Sequence, residues 1–171
     1  MTLWRSLSTL IALAFLNTAA PAQQPAQQPA RCSAPEYRQF DFWIGDWKVT
    51  GANGQQAGTN RIEVMLGGCV LYESWTASGP SRGHSFNIYD PGDRKWHQTW
   101  VDNSGTLLQL AGGLVNGDMV LEGERMLPNG ASRLERITWT PNSDGSVRQH
   151  WQASTDKGMR WQTVFDGMYR K

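Results

Sequence analysis

The chain has 171 residues, 16 Lys and Arg against 15 Asp and Glu, and a formal net charge of +1. A balance this close to neutral gives no electrostatic reason to expect nucleic acid or an anionic membrane surface as a partner. The length suits one sizeable core rather than two domains, and nine tryptophans mean that several large rings must share it.

In chain order, Arg5 is the only charge ahead of an apolar run over residues 7–16, which is followed by the small residues Ala19-Ala20-Pro21-Ala22. This is the pattern of a secretory signal over residues 1–22, cleaved after Ala22. The run is far shorter than the ~20 residues of a membrane-spanning helix, so the expectation is an exported protein, periplasmic or secreted, with no membrane insertion. Residues 23–30 repeat Gln-Gln-Pro-Ala, a polar, proline-punctuated tract that reads as a flexible spacer. The folded domain is expected over residues 31–171.

Cys32 and Cys69 are the only cysteines, and in an oxidising compartment an isolated pair forms a disulfide. Closing the intervening loop would contribute about 4 kcal/mol in the chain-entropy model. Cys32 lies too far beyond the apolar run to be the lipidated cysteine of a lipoprotein. Residues 35–42 are expected to form a short helix or helical turn that leads into the first strand.

From Trp47 onward, short alternating segments are separated by turn chemistry: Asn53-Gly54, Gly67-Gly68, Gly79-Pro80, Pro91-Gly92-Asp93, Asn103-Ser104-Gly105, Asn116-Gly117, Asn129-Gly130, Asp144-Gly145 and Asp156-Lys157-Gly158. Such sequences supply the positive φ angles of tight hairpins. Nine turns imply about ten strands, at the spacing of an all-β barrel or sandwich, and no stretch sustains the 3.6-residue period of a helix.

Strand registers follow from asking which pairing gathers apolar residues on one face. Pairing Tyr89 with Lys95 places Phe86, Ile88, Trp96 and Trp100 together, with His84 on their face and His97 on the other. Pairing Thr140 with Ser146 aligns Trp139 and Ile137 with Val147, Gln149 and Trp151, sets His150 opposite Arg136, and continues through Trp161 and Phe165. In a closed sheet these two rows face each other across one interior.

The segment Phe40-Asp41-Phe42-Trp43-Ile44-Gly45-Asp46-Trp47, the turn Gly68-Cys69, the run Trp96-His97-Gln98-Thr99-Trp100-Val101-Asp102 and Trp139-Thr140-Pro141 resemble a family of exported bacterial proteins of unknown function. Within them, Gly45-Asp46-Trp47 is similar to the Gly-x-Trp signature that opens the first strand of lipocalins and other calycins. The resemblance implies a single antiparallel up-and-down barrel. It also implies that Gly45 and Trp47 are structural, with Trp47 closing the barrel floor against Arg170 or Lys171. It implies no established activity.

Several motifs have bland readings. Gly79-Pro80-Ser81-Arg82-Gly83 matches the nucleophile-elbow pattern G-x-S-x-G but lacks the strand–turn–helix context that the chemistry requires, so it reads as a hairpin loop. The histidines His84, His97 and His150 do not converge on a metal site. Only the minority haem reading survives, since some calycin-like barrels hold haem on one inward histidine. Glu122 and Glu124, with Arg125 and Arg133 nearby, read as a solvated face. Glu73, alternating with Leu71 and Trp75, is the better candidate for a buried carboxylate, which would need a partner such as Arg136 or a raised pKa.

The expected function is binding of a small apolar or aromatic molecule inside the barrel without a cofactor. The candidate ligand-binding residues are His84, Phe86, Trp96, Gln98, Trp100, Arg136, Trp139, Gln149, Trp151, Trp161 and Phe165. The alternatives are an isomerase or hydrolase built on Glu73, Arg136 and His150, and an envelope interaction scaffold.

Overall fold

The structure, a computed structural model, describes residues 31–171; the expected signal and spacer lie outside the described residues. The chain runs through two 3-10 turns, Pro35–Arg38 and Asp41–Trp43, into ten strands: β1 (Gly45–Gly51), β2 (Gln56–Met65), β3 (Val70–Ala77), β4 (Arg82–Asp90), β5 (Lys95–Asp102), β6 (Leu107–Val115), β7 (Asp118–Met126), β8 (Ser132–Pro141), β9 (Val147–Ser154) and β10 (Gln162–Arg170). Each strand pairs antiparallel with its sequence neighbours. β1 closes onto β10 with Val49 opposite Tyr169, so the sheet is a closed barrel. Among the described residues no helix is long and apolar enough to cross a membrane.

All nine turn sequences fall between consecutive strands. At Asn116-Gly117 both residues have positive φ, 54° and 95°, the mirror-image turn whose twist matches the flanking strands and which asparagine and glycine tolerate best. Among the described strands, closure leaves no open sheet edge.

One end of the barrel is plugged by the segment before β1. Phe40 and Trp43 are fully buried. The Phe40 ring stacks on Trp43 at 4.9 Å and meets Trp96 and Trp139 edge-on at 5.6 and 5.1 Å, the geometry that the ring quadrupoles favour. Trp47 Nε1 donates to the Trp43 carbonyl at 2.8 Å, and the Lys171 ammonium sits 4.9 Å from the Trp47 ring centre. Trp47 is thus held at the floor between the plug and a basic residue at the chain's end. A disulfide joins Cys32 to Cys69, with Cα atoms 5.0 Å apart. It fastens the plug segment to the β2–β3 connection.

The β4–β5 register corrects the expectation. Asp90, not Tyr89, pairs with Lys95, and a slip of one residue exchanges the two faces of a strand. Ser85, Asn87 and Tyr89 therefore face inward beside Trp96, Gln98 and Trp100. Phe86 and Ile88 face solvent, 53% and 40% exposed. The rule that collects apolar residues on the inner face fails here because the middle of this interior is polar. At the β8–β9 hairpin the pairing slides by two, Trp139 opposite Gln149 and Ile137 opposite Trp151, and a slip of two keeps every residue on its expected face.

Candidate ligand cavity

The half of the barrel away from the plug holds a cavity of about 240 Å³, open at that end. Its walls include Trp75 of β3, Trp100 of β5, Trp151 of β9 and Phe165 of β10, and its inner surface includes Glu73, Gln98, Gln149 and Tyr169. Room for the rings comes from bare backbone, on the neighbouring strand for Trp100 and two residues further along β10 for Phe165. A Cβ at Gly83 would lie 2.1 Å from the Trp100 indole, and one at Gly167 would lie 2.5 Å from the Phe165 ring. Any side chain at these glycines would drive the rings into the cavity.

The polar floor of the cavity is a chain of hydrogen bonds that ends on one carboxyl group. Gln98 Nε2 donates to Asn87 Oδ1 at 2.9 Å, Asn87 Nδ2 donates to Ser85 Oγ at 2.9 Å, and Ser85 Oγ donates to Glu73 Oε2 at 2.6 Å. Asn60 Nδ2 donates to Glu73 Oε1 at 2.7 Å, and the Tyr169 hydroxyl donates to Gln149 Oε1. Glu73 is 4% exposed. Burial pushes its carboxyl up to about 7, against the pull of the Ser85 and Asn60 hydrogen bonds. Burial, reinforced by the nearby Glu73 charge, pushes the Tyr169 hydroxyl well above its ordinary value.

A second carboxylate, Glu135 of β8, is completely buried beside the cavity. It accepts from Arg125 Nε and Arg133 Nε, both at 2.7 Å, and from the Trp151 indole at 2.8 Å. Two guanidinium groups thus compensate one buried charge, and that charge fixes the edge of a wall ring. At the mouth, Asp102 lies lower than an ordinary carboxylate. Burial works against this, but hydrogen bonds from Ser104, Trp100 and Thr106 outweigh it.

Of the residues singled out from sequence, Gln98, Trp100, Gln149, Trp151 and Phe165 line the cavity. Trp96 and Trp139 point inward but pack into the plug. The other four point away from the interior. Phe86 and His84 are turned out by the β4–β5 register, with His84 stacked on Tyr72 and hydrogen-bonded to its hydroxyl at 2.8 Å. Arg136 pairs with Glu122 on the outer face and lies 4.0 Å above the Trp161 ring. Trp161 parts from the Phe165 row because a bulge between Thr163 and Phe165 changes the alternation.

The trio of Glu73, Arg136 and His150 does not form: Glu73 is inside, Arg136 is on the outer face, and His150 bonds Thr163 on the strand face opposite to Gln149. The haem reading loses its ligand, since His84, His97 and His150 all point away from the barrel interior. Glu122 and Glu124 lie on the exposed face as expected, bonded to Arg136 and Ser132, but Arg125 and Arg133 turn in to Glu135. Ser81 of the G-x-S-x-G match sits in the β3–β4 turn at the cavity mouth, with β4 rather than a helix following. Asp90, Asp93 and His97 come within 4.8 Å of one another on the exposed β4–β5 hairpin. There, Asp90 and Asp93 accept from the turn's own amides and His97 contacts Asp93.

Sequence reasoning missed Glu135, Tyr169, Asn60 and Ser85. Glu135 was within reach, since it shares the alternation of Ile137 and Trp139. Ser85 and Asn60 carry no such mark, because a small polar residue on an inner face looks like one on an outer face. No family model matches the sequence, and no curated protein matches it significantly.

Proposed function

We propose that the protein is an exported, calycin-like binding protein that holds one small, largely aromatic molecule in the open half of its barrel. The carrying observation is the cavity itself, with four aromatic rings around a hydrogen-bonded polar floor. Small-molecule sites have this composition, apolar walls for affinity and a few fixed polar groups for orientation. An apolar cavity of roughly 150 Å³ accepts benzene, so 240 Å³ suits a bicyclic ring with a short substituent. Export is supported by the Cys32–Cys69 disulfide, a bond that persists in oxidising compartments, and by the signal-like pattern of the first residues.

Binding should report directly through tryptophan emission, because Trp75, Trp100 and Trp151 form the wall. Titration with indole is expected to change the fluorescence with one-to-one stoichiometry. Native mass spectrometry of protein from its own host should find a co-purifying small molecule. A protein that binds neither indole nor any other mono- or bicyclic aromatic compound below about 1 mM, a contact worth only ~4 kcal/mol, overturns the reading.

A further inference from the structure

Two buried carboxylates lie in the same barrel, and the fold treats them differently. Glu135 has two arginines. Among the described residues Glu73 has only neutral donors, Asn60 and Ser85, although an ionised carboxylate removed from water needs a countercharge. Among the described residues that line the cavity none is Lys, Arg or His, and those with a formal charge are Glu73 and Asp102. Asp102 is committed to the β5–β6 turn, where it accepts from the Ser104 and Thr106 amides at 2.8 and 3.2 Å.

The hydrogen bonds around Glu73 also have a direction. Ser85 Oγ already accepts from Asn87, so its one hydrogen is left for Glu73. Asn60 presents an N–H to the other oxygen. Both oxygens are therefore set as acceptors, the arrangement of the ionised form, and each retains a further lone pair. Beyond Glu73, the walls present the rings of Trp75, Trp100, Trp151 and Phe165, whose faces attract cations.

We propose that the ligand carries a cationic amine on its aromatic body, with the ammonium seated on Glu73 and the ring held between the aromatic walls; this rests on the ligand-carrier reading. The ligand supplies the countercharge that the fold withholds. Around Glu73, β2 contributes Asn60, β4 contributes Ser85 and Asn87, and β10 contributes Tyr169, while Gln98 of β5 and Gln149 of β9 line the same cavity. Of these only Tyr169 titrates, and its hydroxyl stays neutral. Amine binding is thus coupled to a single proton, the one that Glu73 gives up.

The test uses three probes of one shape, tryptamine, tryptophol and indole-3-acetate, titrated calorimetrically into the wild-type protein and Glu73→Gln. At about pH 8 tryptamine is expected to bind about tenfold tighter than tryptophol, with indole-3-acetate weakest. With the Glu73 carboxyl at about 7, tryptamine affinity should fall about thirtyfold between about pH 8 and about pH 5.5, with a proton released at the lower pH, while tryptophol changes little. In Glu73→Gln the tenfold preference for tryptamine over tryptophol should vanish. The wild-type pH series stands alone if that variant fails to fold. Tryptophol or indole-3-acetate binding as tightly as tryptamine at the higher pH, or a preference that survives in Glu73→Gln, overturns the amine while leaving the carrier reading intact. Failure of all three probes removes both.

Discussion

The plugged and open halves of this barrel are built from the same residue types to different ends. In the plug, Phe40, Trp43, Trp96 and Trp139 pack in one cluster, and among the described residues the indole N–H groups of Trp43 and Trp139 have no partner. A buried donor left unpaired costs about 1–3 kcal/mol, which the packing of the plug rings has to offset. In the open half, Trp100 and Trp151 have their N–H groups tied to Asp102 and Glu135, and their rings border empty space. Aromatic content alone does not mark a binding site. What separates the two halves is whether the rings fill the interior against one another or, as with Trp75 and Phe165, which meet edge-on at 6.0 Å, line a space left open above a polar floor.

The largest effect should come from the plug. Trp139→Ala removes a fully buried indole and is expected to cost about 4 kcal/mol, read as a lower urea midpoint, with ligand affinity little changed in the protein that remains folded. Next is Glu135→Ala. This variant leaves Arg125 and Arg133 facing each other without their shared carboxylate, and should cost about 3 kcal/mol. Unlike Trp139→Ala it also frees the Trp151 ring, so it should weaken aromatic binding. Equal loss of affinity in the two variants would erase the distinction between the halves.

Glu73 should show itself in the pH dependence of stability. Unfolded, it loses its proton near 4.5; folded, it keeps it until about 7. Between those values the native state binds more protons, so this group lowers stability as pH rises through the window. The loss amounts to about 3 kcal/mol above it and is absent below it. Unfolding of Glu73→Gln should lack this decline, making the variant relatively more stable at neutral pH than at about pH 4.5. A wild-type profile that matches the variant across this range would mean that Glu73 is not held in a desolvated site.

The smallest effect is expected at Phe86. On the outer face, Phe86→Ala should cost under about 1 kcal/mol, where an inward phenylalanine would cost 3–5 kcal/mol. This substitution decides between the two β4–β5 registers.

That register also shows what could be read in advance. The strand number was legible because every connection carries asparagine, aspartate, glycine or proline, most of them with at least one such residue at positive φ, and such local chemistry needs no tertiary context. The inner face of β8 and β9 was legible because Ile137, Trp139 and Trp151 dominate their alternation. The inner face of β4 was not, because Ser85 and Asn87 are inside while Phe86 and Ile88 are outside, and only the closed barrel makes that inversion worthwhile by joining Gln98, Asn87, Ser85 and Glu73 into one network. Trp161 was misjudged for a local reason, the bulge before Phe165, which no hydropathy pattern reveals.

The contrast between the halves is most directly tested by following the indole N–H resonances of the 15N-labelled protein during titration with an aromatic amine. The signals of Trp75, Trp100 and Trp151 should shift and saturate together, while those of Trp43, Trp47, Trp96 and Trp139 stay in place. Shifts centred on the plug tryptophans, or no shifts at saturating ligand, would contradict the assignment of binding to the open half.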